Sequence, residues 1–423
     1  MLKEPIGILG FGVEGQSTLK FLQAKGIKNI SVFDKKDGEN YLDNLAACKT
    51  IIRSAGVYPL QKEILNAQMK GAELSSQVEL FFEKMQNDYP HIKIIGVTGT
   101  LGKGTCVSMI AHCLEALAIP HLVGGNFGVP ALDLLQYKNF LLNKKAIIIL
   151  ELSSFQLMTL GISPHIGVIL QTTSEHLDWH PSLEQYRDSK ANLVRWQKKN
   201  DYCIYYAKSE GAAQIACQSS ALKKPFDALS LSIEEFKVKG EHQLQNMAAA
   251  VLALECAGMN ATACINALKT YEGLPLRLQN IGTKTFKNKS LTFYNDSYST
   301  RPEATIAAAK AMDKPFTLIL GGSEKHADFT ELSQALAKNN LLKSIALIGA
   351  TAERMQKSLL SESCNASMKF CENLNDAFDW CLESTPNNGA VLLSPACASF
   401  GLFASYKERG EQFCYQVSRL PNH

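Results

Sequence analysis

Lys103 ends a glycine-rich turn, Gly99-Thr100-Leu101-Gly102-Lys103, that follows the apolar stretch KIIGV and continues into Gly104-Thr105. Backbone N–H groups in such a turn at a helix N-terminus form an anion nest, and the helix dipole adds to it. A lysine placed directly after the glycine would neutralise the outer phosphates of a nucleotide. The stretch is not a strict G-x-x-x-x-G-K-[ST] loop. Counting back from Gly102 puts Val97 at the first position, and Gly104 follows the lysine. Gly104 leaves the backbone cradle intact but removes the hydroxyl expected on a magnesium ion. Thr105 is the next hydroxyl, one residue on and about 100° round a helix. The competing reading is an ordinary strand-to-helix turn, against which the lysine beside Gly102 argues.

A magnesium–nucleotide site needs acids at the mouth of the same sheet. Glu151 follows the five apolar residues AIIIL, so it falls at the carboxyl end of a buried strand. The next apolar run, IGVIL, leads into QTTSEHLDWHP, which holds Glu175, His176, Asp178 and His180. Together these fit a metal or substrate site better than four solvated loop residues. Lys190 is the least expected residue. Pro181 and Ser182 open a helix with capping-box spacing to Gln185. Its apolar stripe runs through Leu183, Tyr186, position 190, Leu193 and Val194. A lysine there either snorkels to the surface or faces an active site, where a desolvated amine can lose its proton and react. Asn126, in the turn GGNFGVPAL, either bonds a substrate or caps the turn. Asn295, Asp296 and Ser297, then Lys325 and Ser399, each follow a buried strand, where ligands of open α/β sheets collect.

Elements that position these residues are readable along the whole chain. IGIL, the turn GFGVEG, the helical pattern QSTLKFLQAKG and the strand ISVF ending at Asp34 form a strand–turn–helix–strand–acid unit. Gly10, Gly12 and Gly15 fit the G-x-G-x-x-G pattern of a dinucleotide-binding half. EKMQNDYPHIK at 83–93 has the composition of a linker. Strand and helix alternate from end to end, which predicts parallel sheets with crossover helices. Three segments are expected: 1–88, 89–279 and 280–423. The formal charge of +3 over 423 residues, with no basic block, does not indicate a nucleic-acid surface. No run of 18 apolar residues occurs, so no membrane span is expected. The twelve cysteines show no Cys-x-x-Cys or zinc spacing and are expected as reduced core residues of a cytoplasmic protein.

Taken in order, GFGVEG, GVTGTLGKGT, GGNFGVPAL, ELSSFQL, SEHLDWH, EQYRDSK, NDSYST, GGSEKHADF and LSPACASF resemble the Mur ligases of peptidoglycan synthesis. Within that family the resemblance is to the type that adds glutamate, and it covers nearly the whole chain. It implies an α/β protein of three domains: a Rossmann-like domain holding the UDP of the substrate, a central P-loop ATPase domain with a parallel sheet, and a Rossmann-like C-terminal domain for the amino acid. It implies ATP as co-substrate with Gly99, Thr100, Gly102, Lys103, Gly104, Thr105, Asn246, Arg277 and Asp296 around it. Two magnesium ions are implied, one on Glu151, with Thr105 as a further candidate, and one served by His176 and Lys190, the lysine as a carbamate. Gly12, Val13, Asp34, Lys35, Ser54 and Asn126 fall around the UDP substrate, with Asn126 near its reacting carbonyl. Lys325, Ser399 and Tyr406 fall around the amino acid. Lys103, Asn126, His176 and Lys190 would be catalytic. The partners implied are UDP-N-acetylmuramoyl-L-alanine, glutamate and ATP, acted on by a monomer.

Four positions depart from the family pattern: Gly104 and Leu101 in the loop, Leu276 where a histidine often precedes Arg277, and Tyr298 where a lysine is usual. Tyr298 leaves open L-glutamate or another acidic amino acid in place of D-glutamate. A folylpolyglutamate-type ligase, an NAD-dependent oxidoreductase built on GFGVEG, and a silent nucleotide-binding protein are the other readings. The oxidoreductase leaves Lys103, Glu151 and Lys190 without a task.

Overall fold

In the computed structural model the described residues are 2–126, 128–173, 179–324 and 327–422. His176, with Glu175 and Asp178, and Lys325 lie outside them.

The chain divides into two compact units, Met1–Ser230 with Gln245–Lys269, and Leu231–Leu244 with Thr270–His423. The first unit carries two sheets. Strands β1 (Ile6–Leu9), β2 (Ile30–Phe33), β3 (Thr50–Arg53) and β4 (Glu73–Ser76) pair in the order β2-β1-β3-β4, all parallel. Strands β5 (Lys93–Thr98), β6 (His121–Gly125), β7 (Ile147–Glu151), β8 (Ile166–Ile169), β9 (Tyr202–Tyr206) and β10 (Leu222–Phe226) form a second parallel sheet, ordered β10-β9-β8-β5-β7-β6. Its middle strands are apolar on both faces because crossover helices cover both sides. Both sheets reverse strand order beside the strand that precedes a glycine turn. That leaves a crevice at the carboxyl ends of β1 and β3, and another at those of β5 and β8.

The helix Val13–Ala24 stops as expected, with Gly26 at φ +77° just past its end. The expected linker at 83–93 is a different matter. The helix Gln77–Asp88 runs through its first half. Val78, Phe81, Phe82 and Met85 form the buried stripe, and Ser76 caps the start by accepting from Glu79 N. That stripe begins upstream of residue 83, so a window opened there sees only the polar remainder.

The second unit holds β11 (Gln279–Phe286), β12 (Lys289–Asn295), β13 (Phe316–Gly321), β14 (Leu342–Ile348), β15 (Ser367–Cys371) and β16 (Ala390–Leu393), ordered β11-β12-β16-β13-β14-β15. Alternate residues serve opposite faces: Leu318, Leu320, Ile345 and Leu392 pack in one core, Ile319, Ala346, Val391 and Leu393 in the other. Here the expectation of wholly parallel sheets fails, since β11 runs antiparallel to β12 at the edge. The two residues between them are too few for a crossover and long enough only for a hairpin. Nine of the twelve cysteines are buried and all are free thiols. Among the described residues no helix is long and apolar enough to cross a membrane.

Candidate active site

The first glycine turn is built for close approach. Gly10 takes φ +85°. A Cβ on Gly15 would lie 2.2 Å from the Gly10 carbonyl oxygen, so the helix can reach the strand only with glycine there. A Cβ on Gly12 would meet nothing within 4 Å. That is the side a ligand can approach. Asp34 closes the unit: its carboxylate accepts from Phe11 N at 2.5 Å and Lys36 N at 3.0 Å. These two backbone donors hold Asp34 below the usual carboxylate range. Ser54 Oγ donates to Gly10 O at 2.7 Å.

A cavity of about 880 Å³ opens over this turn, and Gly12, Val13, Asp34, Lys35, Ser54 and Asn126 all line it. Val13 is 71 % exposed, an apolar side chain presented to the cavity. Asn126, just after β6, and Gln156, in the helix Ser154–Leu157, also line it. The walls are tied together. Glu14 accepts from Ala55 N at 2.7 Å and from Gln156 Nε2 at 2.8 Å. The fully buried Arg53 donates to Val57 O at 2.6 Å and to Phe155 O at 2.7 Å. Burial pushes its guanidinium down to about 10, and the Glu14 carboxylate pulls it back up.

The second glycine turn, after β5, is tightly closed. Gly102 caps the helix Lys103–Ala116 in the left-handed conformation, φ +85°. A Cβ there would lie 2.4 Å from Asn246 Oδ1, so glycine is what lets Asn246 sit against the loop. Thr100 Oγ1 lies 3.0 Å from Tyr186 Oη and accepts from Thr173 N at 3.0 Å. Lys103 Nζ donates to the carbonyls of Gly99 and Thr100 at 2.9 and 3.0 Å. Lys190 Nζ donates to the same Gly99 carbonyl at 2.9 Å and to Thr98 Oγ1 at 3.3 Å. Two lysines therefore meet on one loop oxygen. Lys190 is 1 % exposed and its Nζ lies 4.6 Å from the Tyr186 ring centroid, so the surface-snorkelling alternative is excluded.

Glu151, at the end of β7, is 3 % exposed. Its Oε1 accepts from Asn126 Nδ2 at 2.8 Å, and Asn126 N donates to Glu151 O at 2.8 Å. Its Oε2 is buried without a hydrogen-bond partner among the described residues. Of the expected Glu175, His176, Asp178 and His180 cluster, only His180 is among the described residues. It is wholly buried, bonded to Ser154 Oγ at 3.0 Å and stacked on Phe155 with centroids 5.8 Å apart.

In the second unit, Asp296 sits at the end of β12. It accepts from Leu278 N at 3.0 Å and from Ser394 Oγ at 2.6 Å. Burial pushes its carboxyl up to about 6, against those hydrogen bonds and the Arg277 charge. Arg277 lies over the ring of Tyr298, 3.7 Å from its centroid, and Tyr298 meets Tyr406 edge-on at 5.0 Å. Ser297 Oγ donates to Tyr406 O at 2.8 Å and accepts from the buried Arg409 Nε at 3.0 Å. Ser399 is buried seven residues before the helix Tyr406–Ser418.

Comparison with known proteins follows this division. The Mur ligase middle domain matches residues 97–237, and the Mur ligase glutamate ligase domain matches residues 276–397, together more than half of the chain. The chain belongs to the Mur ligase family. It is 29 % identical to the UDP-N-acetylmuramoylalanine–D-glutamate ligase of Thermoanaerobacter sp. strain X514, over 98 % of each chain. To the protein of that name from Symbiobacterium thermophilum it is 26 % identical over 99 % of each. Among solved structures the fold matches UDP-N-acetylmuramate-alanine ligase MurC from Thermotoga maritima with a TM-score of 0.60 at 17 % identity, over 98 % of this chain and 99 % of that one. E. coli FolC in complex with DHPP and ADP matches with a TM-score of 0.57, also at 17 % identity, over 81 % of this chain and 93 % of that one. The three-domain α/β fold is thus that of the Mur ligases.

For a Mur ligase, the residues present suit magnesium and ATP. Glu151 Oε2 is a buried carboxylate oxygen with no hydrogen-bond partner among the described residues, and magnesium takes one or two carboxylates together with phosphate oxygens. Among the described residues no three His, Cys, Asp or Glu side chains gather. Of the residues expected from sequence, the first unit brings Lys103, Thr100, Asn246 and Lys190 to one loop, and Asn126 to Glu151. The second unit brings Arg277 and Tyr406 against the ring of Tyr298, and Asp296 to Leu278 N beside Arg277. Sequence reasoning missed Arg53, Glu14 and Gln156 as the ties of the cavity. The one available signal was a charged residue closing the apolar strand TIIR.

Proposed function

We propose that the chain is the MurD-type ligase, joining D-glutamate to UDP-N-acetylmuramoyl-L-alanine at the expense of ATP in peptidoglycan precursor synthesis. One observation carries this reading. One cavity is lined both by the first glycine turn and by Asn126, and Asn126 is hydrogen-bonded to Glu151. A UDP-sugar held at Gly12 would therefore extend its far end, the carboxylate, towards the acid of the nucleotide site.

A carboxylate is a poor acylating agent because its leaving group would be oxide. Transfer of the γ-phosphoryl group to a carboxylate oxygen gives an acyl phosphate and ADP. The amine of glutamate then attacks the carbonyl carbon, loses a proton, and inorganic phosphate departs with the C–O electron pair. Lys103, on leaving its loop carbonyls for the phosphates, would offset charge in the first step. Asn126 would orient the reacting carbonyl. Glu151, with Thr105 as a further candidate, His176 and Lys190 are the residues that would hold two magnesium ions. When bound, these ions supply Lewis-acid stabilisation of the phosphate and carbonyl oxygens.

Lys190 would serve as a carbamate, its neutral amine adding to carbon dioxide with loss of a proton. Its burial beside Gly99 supports this, because a buried ammonium is costly and a buried amine is nucleophilic. Gly12, Val13, Asp34, Lys35 and Ser54 would hold the UDP part. The second unit carries the residues proposed for nucleotide, Arg277 and Asp296, and for the amino acid, Lys325, Ser399 and Tyr406. The protein would act as a cytoplasmic monomer. Phosphate release with UDP-N-acetylmuramoyl-L-alanine, ATP and D-glutamate, set beside L-glutamate, tests the assignment. Release only with L-glutamate would overturn the stereochemical part, and no release with either would overturn the whole.

A further inference from the structure

Tyr298 is the sequence departure that the function does not absorb. It is 40 % exposed, yet its ring is held from two sides. Arg277 covers it, with the guanidinium carbon 3.7 Å from the centroid. Tyr406 meets it in a T-shaped contact, with centroids 5.0 Å apart and planes at 80°. Tyr298 N donates to Leu276 O at 3.0 Å, so the turn that carries the ring is also bonded to the segment that carries the arginine.

That segment is constrained to an unusual degree. Leu276 and Leu278, on either side of Arg277, both take left-handed backbone conformations, φ +63° and +48°. Residues with side chains adopt these only where surroundings impose them. The impositions are visible. Leu278 N donates to the buried Asp296 carboxylate at 3.0 Å, and Leu276 N to Gln279 Oε1 at 3.1 Å. Leu276 also packs where Gly410 leaves room, since a Cβ there would lie 2.4 Å from Leu276 Cδ2. Three consecutive residues are thus pinned so that one flexible cation projects in a fixed direction, and the ring of Tyr298 fixes the rest of that side chain.

We infer that Tyr298 is a positioning residue whose ring pre-sets the Arg277 guanidinium for the phosphates of the nucleotide. The inference rests on the reading of Arg277 as a nucleotide contact. A guanidinium lying over an aromatic face keeps its in-plane N–H donors available to phosphate oxygens. Ordering it before the ligand arrives removes an entropy cost from binding. The ring, not the hydroxyl, performs this task.

The test uses the full-length enzyme, with calorimetric titration of a non-hydrolysable ATP analogue in magnesium and steady-state KM for ATP. Tyr298→Leu should weaken both by about tenfold, or about 1.4 kcal/mol, within the range of an aromatic–cation contact. Its kcat and melting temperature should hold. Tyr298→Phe should stay within about twofold of the wild type, as the ring persists. Arg277→Ala should weaken binding at least as much as Tyr298→Leu, and the double variant should be no weaker than Arg277→Ala alone. If Arg277→Ala leaves nucleotide affinity unchanged, the reading of Arg277 fails and the inference with it. If Arg277→Ala weakens binding while Tyr298→Leu does not, or if the two effects add, the contact stands and the positioning role of Tyr298 is overturned.

Discussion

Two strand–turn–helix units of the first unit share a glycine-rich turn and differ in everything around it. At Gly10–Gly15 the turn is open. Gly12 faces empty space, Asp34 spends its carboxylate on the turn's own backbone, and a large cavity lies over it. At Gly99–Lys103 the turn is crowded. Two lysines converge on Gly99 O, Thr100 is bonded to Tyr186, and Asn246 presses on Gly102. The glycines create a backbone that a phosphate can approach in both places. What the site binds and does is decided by the side chains that surround the turn. In the proposed function the first turn would hold a ligand without chemistry, and the second would bring the cations that phosphoryl transfer needs.

Removing those cations is the strongest way to break the contrast. Lys103→Ala should reduce phosphate release by about 10³-fold or more, with circular dichroism and melting temperature preserved. A folded variant with near-normal release would make the second turn no more catalytic than the first. Lys190→Ala should lose about 10²-fold. Acetate should restore part of that loss and an alcohol of similar size none of it, because only the carboxylate replaces the oxygens of a carbamate. Full activity without added acid would show Lys190 to be only a loop support.

The glycines probe the other side of the comparison. Gly15→Ala forces a Cβ to 2.2 Å from the Gly10 carbonyl, and overpacking of this kind costs about 1–3 kcal/mol, read as a lower midpoint in urea. Gly12→Ala has room for its methyl group in the free protein, so stability should be unchanged. The KM for the UDP substrate should rise about tenfold, as for a lost backbone approach, while that for ATP stays put. A rise in the ATP KM instead would exchange the roles of the two turns. The smallest effect is expected of Gly104→Ser, which adds a hydroxyl beside Lys103. Activity should stay within about threefold, and the magnesium concentration for half-maximal rate should fall. If it does not move, another ligand already fills that position.

Much of the fold is legible in the sequence. The strands IGIL, IIIL and LILG announce themselves because parallel strands buried on both faces need unbroken apolar runs. Both glycine turns and Glu151 follow from their places after such runs. The strand β11, QNIGTKTF, was not legible: it is half-buried at a sheet edge and has no clear alternation. The ties of the large cavity were hidden for another reason. Arg53 meets Phe155 across 102 residues and Gln156 meets Glu14 across 142, and no local pattern encodes such distances. The burial of His180 was not legible either. Among the described residues its side chain lies against Phe155, Tyr186 and Ser154, which its neighbours in sequence do not foretell. Lys190 was the informative case, since a charge in an apolar stripe did not say whether it would snorkel or be buried, and the structure buries it.

The buried Arg53 has a consequence for how the molecule opens. The first sheet has four strands of four residues each, and a sheet so small buries too little apolar surface to be robust by itself. Its most deeply placed charge has acceptors, Phe155 O and Thr159 Oγ1, that belong to the central segment. Separating the two would leave a guanidinium without two of its acceptors in an apolar setting. Amide hydrogens of Ile51 and Ile52 should therefore exchange with solvent on the same slow clock as those of Ile148 and Ile149. A fragment cut after residue 88 should exchange them far faster, because the first sheet shares its opening event with its neighbour.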